Sequence, residues 1–271
     1  MRTLAHISDL HFGRADPAVL EGLKHAIQQA KPDVVVVSGD LTQRARRREF
    51  MQARDFLQGL PRPQIVVPGN HDVPLYNVLK RWLVPLSNFR RYIDNDPAPF
   101  YADDEIAVLG LNTARAFTFK NGRINQGQVA KACARFESLG EHAVRIVATH
   151  HPFAVPETGT KHTIVGRAKM AMRALADCRV DIVLSGHLHL SQAITSQMVY
   201  ADHRAALLIQ AGTASSSRRR HEANAFNLLT LEGDHVVVER HGWENRAFAA
   251  VQREGFRRDS GGWTKVHLAR T

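Results

Sequence analysis

Through the first 190 residues, short continuous apolar runs alternate with stretches whose apolar residues recur every three to four positions. Runs bounded by turn residues predict strands, and the longer spacing predicts amphipathic helices. Residues 2–8 read as a strand ending at Ser8-Asp9. Pro17 to Ala30 reads as a helix, with Asp16 as N-cap, Pro17 in the first turn and Val19, Leu20, Leu23, Ala26, Ile27 and Ala30 at helical spacing. Val34-Val35-Val36-Val37 is a β-branched run of the kind that lies buried on both faces beneath covering helices. The unit recurs: helix 49–60, strand 65–67, strand 105–111, helix 126–139, strand 144–148, helix 165–178 and strand 181–184. Beyond residue 190 only strands are predicted, over 192–200, 204–211, 225–231 and 235–241, with Glu232-Gly233-Asp234 as a hairpin signal. The polar, glycine-containing stretch after Trp243 shows no period. No repeat or linker divides the chain, so one α/β domain is expected over 1–271, with 244–271 an unassigned C-terminal tail.

Polar residues cluster where these strands end. The first delivers Asp9-x-His11, the second Gly39-Asp40, the third Gly69-Asn70-His71-Asp72, a later one His150, and the next Gly186-His187-x-His189. The carboxyl edge of an α/β sheet is where ligands bind. The set Asp9, His11, Asp40, Asn70, His150, His187 and His189 therefore converges on one rim. It offers oxygen and nitrogen donors without thiolate, which suits Mn, Fe or Zn. Glycine before Asp40, Asn70 and His187 lets the chain turn sharply off each strand. His151, adjacent to His150, is expected to support a ligand rather than be one.

Lys and Arg outnumber Asp and Glu by 36 to 26, a net charge of +10, which suits a small anionic substrate. Arg218-Arg219-Arg220 lacks the interleaved aromatics of a single-strand binder and reads as a solvated turn, so no specific nucleic-acid partner is expected. Cys133 and Cys178 lie 45 positions apart in helical segments and read as separate thiols in a reducing compartment. Asp9 and His11 interrupt any signal-peptide pattern, and no apolar run approaches the roughly 18 residues of a membrane span. A cytoplasmic protein is expected. Segment 73–100, with Lys80, Arg81, Arg90, Arg91 and aromatics, reads as an amphipathic surface helix or a cap over the substrate. Arg115 at a strand end, and Lys161 and His162 in loop 153–164, are candidates for substrate contact.

The motifs DLH at 9–11, GD at 39–40, GNHD at 69–72, THH at 149–151 and GHLH at 186–189 resemble the calcineurin-like metallophosphoesterase superfamily. ISDLHFG, SGDLT, PGNHD, LNTAR and GRINQGQ are similar to the bacterial class III cyclic-nucleotide phosphodiesterases within it. The resemblance implies a four-layer αββα sandwich with two central mixed sheets. It implies two divalent metal ions: one on Asp9, His11 and His189, the second on Asn70, His150 and His187, with Asp40 bridging. It implies a hydroxide between the metals as nucleophile and His71 as the catalytic histidine; Asp72 reads either as orienting His71 or as a simple turn or cap residue. The expected reaction is hydrolysis of a nucleotide-like phosphodiester such as a cyclic nucleotide. A pyrophosphatase on a sugar nucleotide or lipid precursor, a phospholipid diesterase, a nuclease and an inactive binding scaffold are the alternatives, and a homodimer is left open. The intact ligand set disfavours the scaffold, and 271 residues leave little room for a DNA-binding cap.

Overall fold

The structure is a computed structural model of the 271-residue chain and describes all residues except 97, 119, 141–142, 156–163, 201–203, 216–221 and 269–271. The substrate candidates Lys161 and His162 and the run Arg218–Arg220 lie outside the described residues.

Two sheets face each other. The first has seven strands: β1 (Arg2–Ile7), β2 (Val34–Val37) and β3 (Gln64–Val66) run parallel, and β10 (Ala225–Glu232), β11 (His235–Glu244), β12 (Ala247–Asp259) and β13 (Gly262–Val266) extend it antiparallel from β1, in the order β13-β12-β11-β10-β1-β2-β3. The second has six. Its centre is parallel: β5 (Ile106–Gly110), β6 (Val144–Ala148), β7 (Ile182–Ser185) and β9 (Leu207–Gln210). Its antiparallel edges are β4 (Phe100–Ala102) and β8 (Gln192–Thr195). Helices α1 (Pro17–Ala30) and α2 (Arg47–Gln58) cover the first sheet, and α5 (Gln126–Glu137) and α6 (Ala168–Asp177) cover the second. Two short helices, α3 (Val78–Leu83) and α4 (Ser87–Tyr92), occupy segment 73–100, where the sequence suggested one.

The valine run shows why the layers form. Val34 and Val36 point between the sheets, beside Ile146, Leu184 and Leu229, while Val35 and Val37 pack under Leu23, Ile27 and Phe50 of α1 and α2. A strand whose residues are apolar at every position is satisfied only when both faces are covered. The α1 start also follows its sequence, since the Asp16 carboxylate accepts the Ala18 N–H at 2.9 Å.

Two expectations are corrected. Residues 244–268, left unassigned, contain β12 and β13. Trp263 is fully buried between the sheets, and its backbone N–H donates to Ala205 O at 3.1 Å. Gly262 sits at φ +113°, where an added Cβ would stand 2.2 Å from Ala205 O. The strands escaped notice because mainly one end of the hairpin is buried, so apolar alternation is weak along most of it. Trp263→Ala is expected to cost about 3–5 kcal/mol, read as a lower urea midpoint. An unchanged midpoint would place Trp263 outside the cooperative core. Second, Cys133 and Cys178 form a disulfide with Cα atoms 5.3 Å apart. Helices α5 and α6 lie side by side on the second sheet, which brings together cysteines 45 positions apart. The reading of separate thiols, and with it the argument for a reducing compartment, loses its premise. Among the described residues no helix is long and apolar enough to cross a membrane.

Candidate functional site

The sequence-predicted ligands all follow carboxyl ends of strands, and those strands are shared between the two sheets. The first sheet carries Asp9, His11, Asp40 and Asn70, and the second carries His150, His187 and His189. The edges are laced together: the His187 N–H donates to Asp9 Oδ2 at 3.0 Å, and His150 Nδ1 donates to Ser38 O at 2.8 Å.

Five of these residues leave their strands in the left-handed region: Asp9 at φ 55°, His11 at 49°, Asp40 at 52°, His187 at 75° and His189 at 60°. Non-glycine residues adopt it at a cost of order 1 kcal/mol each, and such strain gathers at functional sites. The preceding glycines are explained by crowding. A Cβ on Gly69 would stand 2.1 Å from Asp40 Oδ1, and one on Gly186 would stand 1.8 Å from Ser8 Oγ.

The donor atoms form interlocking groups, Asp9–His11–His189 and Asp9–Asp40–His150, each with ligand atoms within 4.8 Å of one another. His11 Nε2 lies 3.5 Å from Asp9 Oδ1 and 3.9 Å from Asp40 Oδ2, and His189 Nε2 lies 3.7 Å from Asp9 Oδ1. His150 Nε2 lies 3.4 Å from Asp40 Oδ1, 3.1 Å from Asn70 Oδ1 and 3.2 Å from His187 Nδ1. Asp40 thus presents one oxygen to each half. Asp9 Oδ1 is buried and accepts no hydrogen bond. An orphaned carboxylate oxygen amid imidazole nitrogens is costly unless a cation takes it. The residues fit divalent metal ions of the Mn, Fe or Zn kind.

A third group, His150–His151–His187, needs sorting by tautomer. His151 Nε2 faces Lys120 O at 3.0 Å, a carbonyl that only accepts, so this nitrogen donates. His151 Nδ1 then accepts from Thr113 Oγ1 at 2.8 Å. Both ring nitrogens are engaged, and His151 serves as a packing wall against His150 and His187. His150 is the reverse case: Nδ1–H is held by Ser38 O, which leaves Nε2 as the nitrogen facing the other donor atoms.

The electrostatics bear the mark of an assembled cluster. Burial pushes His150 down, but the Asp40 carboxylate outweighs it and lifts the imidazole to about 9. Burial opposes ionisation of Asp40, yet His150, His71 and His11 hold it well below the usual carboxylate range. Burial, then the charge of His150, lowers His187 to about 4.

His71 lies beside this cluster, its ring 5.0 Å from and edge-on to that of His11. Its Nδ1–H donates to Gln43 O at 2.8 Å and its backbone N–H to Asp40 Oδ1 at 2.8 Å. Of the two readings of Asp72, its contacts match the turn or cap residue: the carboxylate accepts the N–H groups of Leu41, Thr42 and Gly69 and the Thr42 hydroxyl, pinning the two loops together. Burial, then the neighbouring Asp40 charge, raises Asp72 to about 6.

The sequence reading missed Gln43, whose carbonyl is a backbone feature without sequence signal, and Thr213, whose hydroxyl is hydrogen-bonded to His189 Nδ1. Thr213 follows β9, so the strand-end rule applied once more would have found it. Arg115 lies beyond β5 on the same rim and bonds to none of the ligand residues. Of the aromatics in segment 73–100 and at the start of loop 153–164, Phe89 and Phe153 are buried in the layers, whereas Tyr76 and Trp82 are exposed. Tyr76 lies under the Arg44 guanidinium, 5.1 Å from ring centroid to Cζ, and Trp82 packs 5.6 Å from Phe117. A groove of about 1020 Å³ between α5 and α6 lies on the outer face and holds none of the ligand residues.

A calcineurin-like phosphoesterase family model matches residues 2–191. The glycerophosphodiester phosphodiesterase GpdQ of Enterobacter lignolyticus is 32% identical over 168 residues, 55% of this chain and 56% of that protein, so the match spans little more than half of that relative. A probable cyclic nucleotide phosphodiesterase of Synechococcus sp. is 24% identical over 214 residues, 69% of this chain and 73% of that protein. Among solved structures, the purple acid phosphatase PPD1 of yellow lupin superposes with a TM-score of 0.66 at 13% identity, covering 99% of this chain and 57% of that one. A dimetal phosphatase of Danio rerio gives 0.65 at 15%, covering 92% and 98%. At those identities the likeness is one of fold: two mixed sheets between helical layers.

Proposed function

The chain belongs to the calcineurin-like phosphoesterase family, and from that premise we propose that it hydrolyses phosphodiesters of small, nucleotide-like molecules with two divalent metal ions. Asp9, His11 and His189 would hold one ion, Asn70, His150 and His187 the other, and Asp40 would serve both. The observation that carries this reading is the pair of donor groups sharing Asp9, with an Asp9 oxygen buried and unbonded between imidazoles. When bound, two such ions supply charge for the attacking and leaving oxygens of an in-line displacement and lower the pKa of water.

The chain's own residues orient and protonate. Ser8 Oγ donates to Asp9 Oδ2 at 2.6 Å and, with the His187 N–H, turns the other Asp9 oxygen toward the donors. Gln43 O fixes the proton on His71 Nδ1, which leaves Nε2 to exchange a proton with the leaving oxygen. The two matched relatives are named for action on diesters, a glycerophosphodiester and a cyclic nucleotide. These share a phosphorus with two organic substituents, and the second substituent needs a wall beyond the metals. The exposed Tyr76, joined to the side chain of Arg44, which follows Gln43 in the chain, is the residue proposed for that wall.

Diesters are therefore the preferred substrates. The ratio of kcat/KM for bis(p-nitrophenyl) phosphate to that for p-nitrophenyl phosphate, with Mn²⁺ at pH 7–8, is expected to exceed one, because contacts to the second substituent contribute in the transition state. A ratio below one would point to a monoesterase on the same scaffold.

A further inference from the structure

Three arginines stand on adjacent segments of this rim with no acidic partner among the described residues. The Arg123 N–H donates to Thr113 O at 3.0 Å, the Ile124 N–H to Gly166 O at 3.2 Å, and the Gly166 N–H to Gly122 O at 2.8 Å. These bonds lay the segments bearing Arg115, Arg123 and Arg167 side by side. The Arg123 stem passes over Gly166, with Cγ 3.3 Å from where a Cβ would stand. Arg123 Nε is buried and donates to nothing. The side chains of Arg115 and Arg167 make no hydrogen bond or ion pair among the described residues. Burial, then the charges of Arg123 and Arg167, lowers the Arg115 guanidinium, and no carboxylate among the described residues offsets this repulsion.

Arg167 adds a second anomaly. It caps the N-terminus of the ten-residue helix α6 at φ 68°, with no side-chain capping bond. A cation there opposes the helix dipole, whereas an anion would be favoured. Two half-buried guanidinium groups, Arg115 and Arg123, gathered with the exposed Arg167 against repulsion at such a point are a preorganised cradle for an oxyanion. The cradle adjoins the metal ligands: Thr113, paired with Arg123 through the backbone, bonds to His151, whose ring lies 4.7 Å from that of His187.

We propose that Arg115, Arg123 and Arg167 form a second anion-binding subsite beside the metal-ligand rim, one that takes a phosphate group. The phosphate comes from a substrate that carries two, or from a separate phosphate ion. As a substrate subsite it rests on the hydrolase reading above; as an anion site it does not.

The test compares wild type with the Arg115→Gln/Arg123→Gln double variant in two measurements. Equilibrium dialysis against labelled inorganic phosphate reads the stoichiometry, and the double variant is expected to bind one phosphate fewer per chain. Equal binding by the two proteins overturns the proposal, whether or not the chain proves to be a hydrolase. The second measurement identifies the source. The p-nitrophenyl ester of thymidine 5′-phosphate is compared with the same ester bearing a 3′-phosphate. A substrate's own phosphate raises kcat/KM by about 10- to 100-fold in wild type, the range of charge-assisted hydrogen bonds, and that ratio falls toward one in the variant. A ratio near one in both proteins, with one phosphate fewer in the variant, assigns the site to a separate ion. Should the double variant fail to fold, Arg167→Gln at the exposed position carries the same comparison.

Discussion

Asp40→Ala is expected to lose both metal ions and at least roughly 10⁴-fold in kcat/KM. The magnitude follows from the several kcal/mol that bound metals supply at the transition state, at about 1.4 kcal/mol per factor of ten. Geometry singles out this residue. Asp40 Oδ1 lies 3.4 Å from His150 Nε2, and Oδ2 lies 3.9 Å from His11 Nε2, so its two oxygens face a histidine from each of the two proposed ligand sets. Its Oδ1 also accepts the His71 N–H at 2.8 Å, so the deletion loosens the loop that carries Asn70. Elemental analysis should find close to two ions per wild-type chain after Mn²⁺ reconstitution and close to none in the variant. Circular dichroism should show the sheets intact, because the valines before Asp40 pack independently of it. A variant that keeps two ions would remove Asp40 from the bridging position. One ion or none in the saturated wild type would sink the two-metal reading.

His71→Ala separates chemistry from metal binding. Its side chain belongs to neither donor group, and its Nδ1–H is spent on Gln43 O. Removing the imidazole leaves the backbone N–H on Asp40 in place, so the variant should hold metal as wild type does. Turnover should fall by roughly 10²–10⁴-fold, the range of a positioned acid–base group. A proton donor to the leaving oxygen matters most when that oxygen is a poor leaving group. The loss should accordingly be larger for a phenyl than for a p-nitrophenyl diester. Equal losses on both would assign His71 to contact with the phosphoryl oxygens rather than to proton transfer. Wild-type turnover in a metal-replete variant would take it out of the mechanism.

The sequence determined what is local. Val34–Val37 demanded a strand covered on both faces and received it, with alternate valines in different layers. Asp16 and Pro17 set the start of α1. Glycines at 39, 69 and 186 marked where strands turn, because the chain there runs against the side chains of neighbouring strands. The donor residues were legible for the same reason: each sits at a strand end, and strand ends can be read from a run of apolar residues and the turn that stops it.

Tertiary structure decided what depends on segments far apart in the chain. Asp9 meets His187 across 178 positions, and only the facing of two sheets makes one rim of their edges. The same facing buries Trp263, in a stretch whose own pattern is too weakly alternating to announce strands. Packing of α5 against α6 turned two solitary cysteines into a disulfide. Hydrogen-bond partners separated residues of like type: His150 keeps a nitrogen for the donor cluster, whereas His151 next to it has none left, and Asp72 is spent on backbone amides instead of on His71. Composition and spacing specify which groups are offered at each strand end. Which of them remain unbonded and converge is settled by contacts whose two halves lie on different sheets, and no local pattern encodes those.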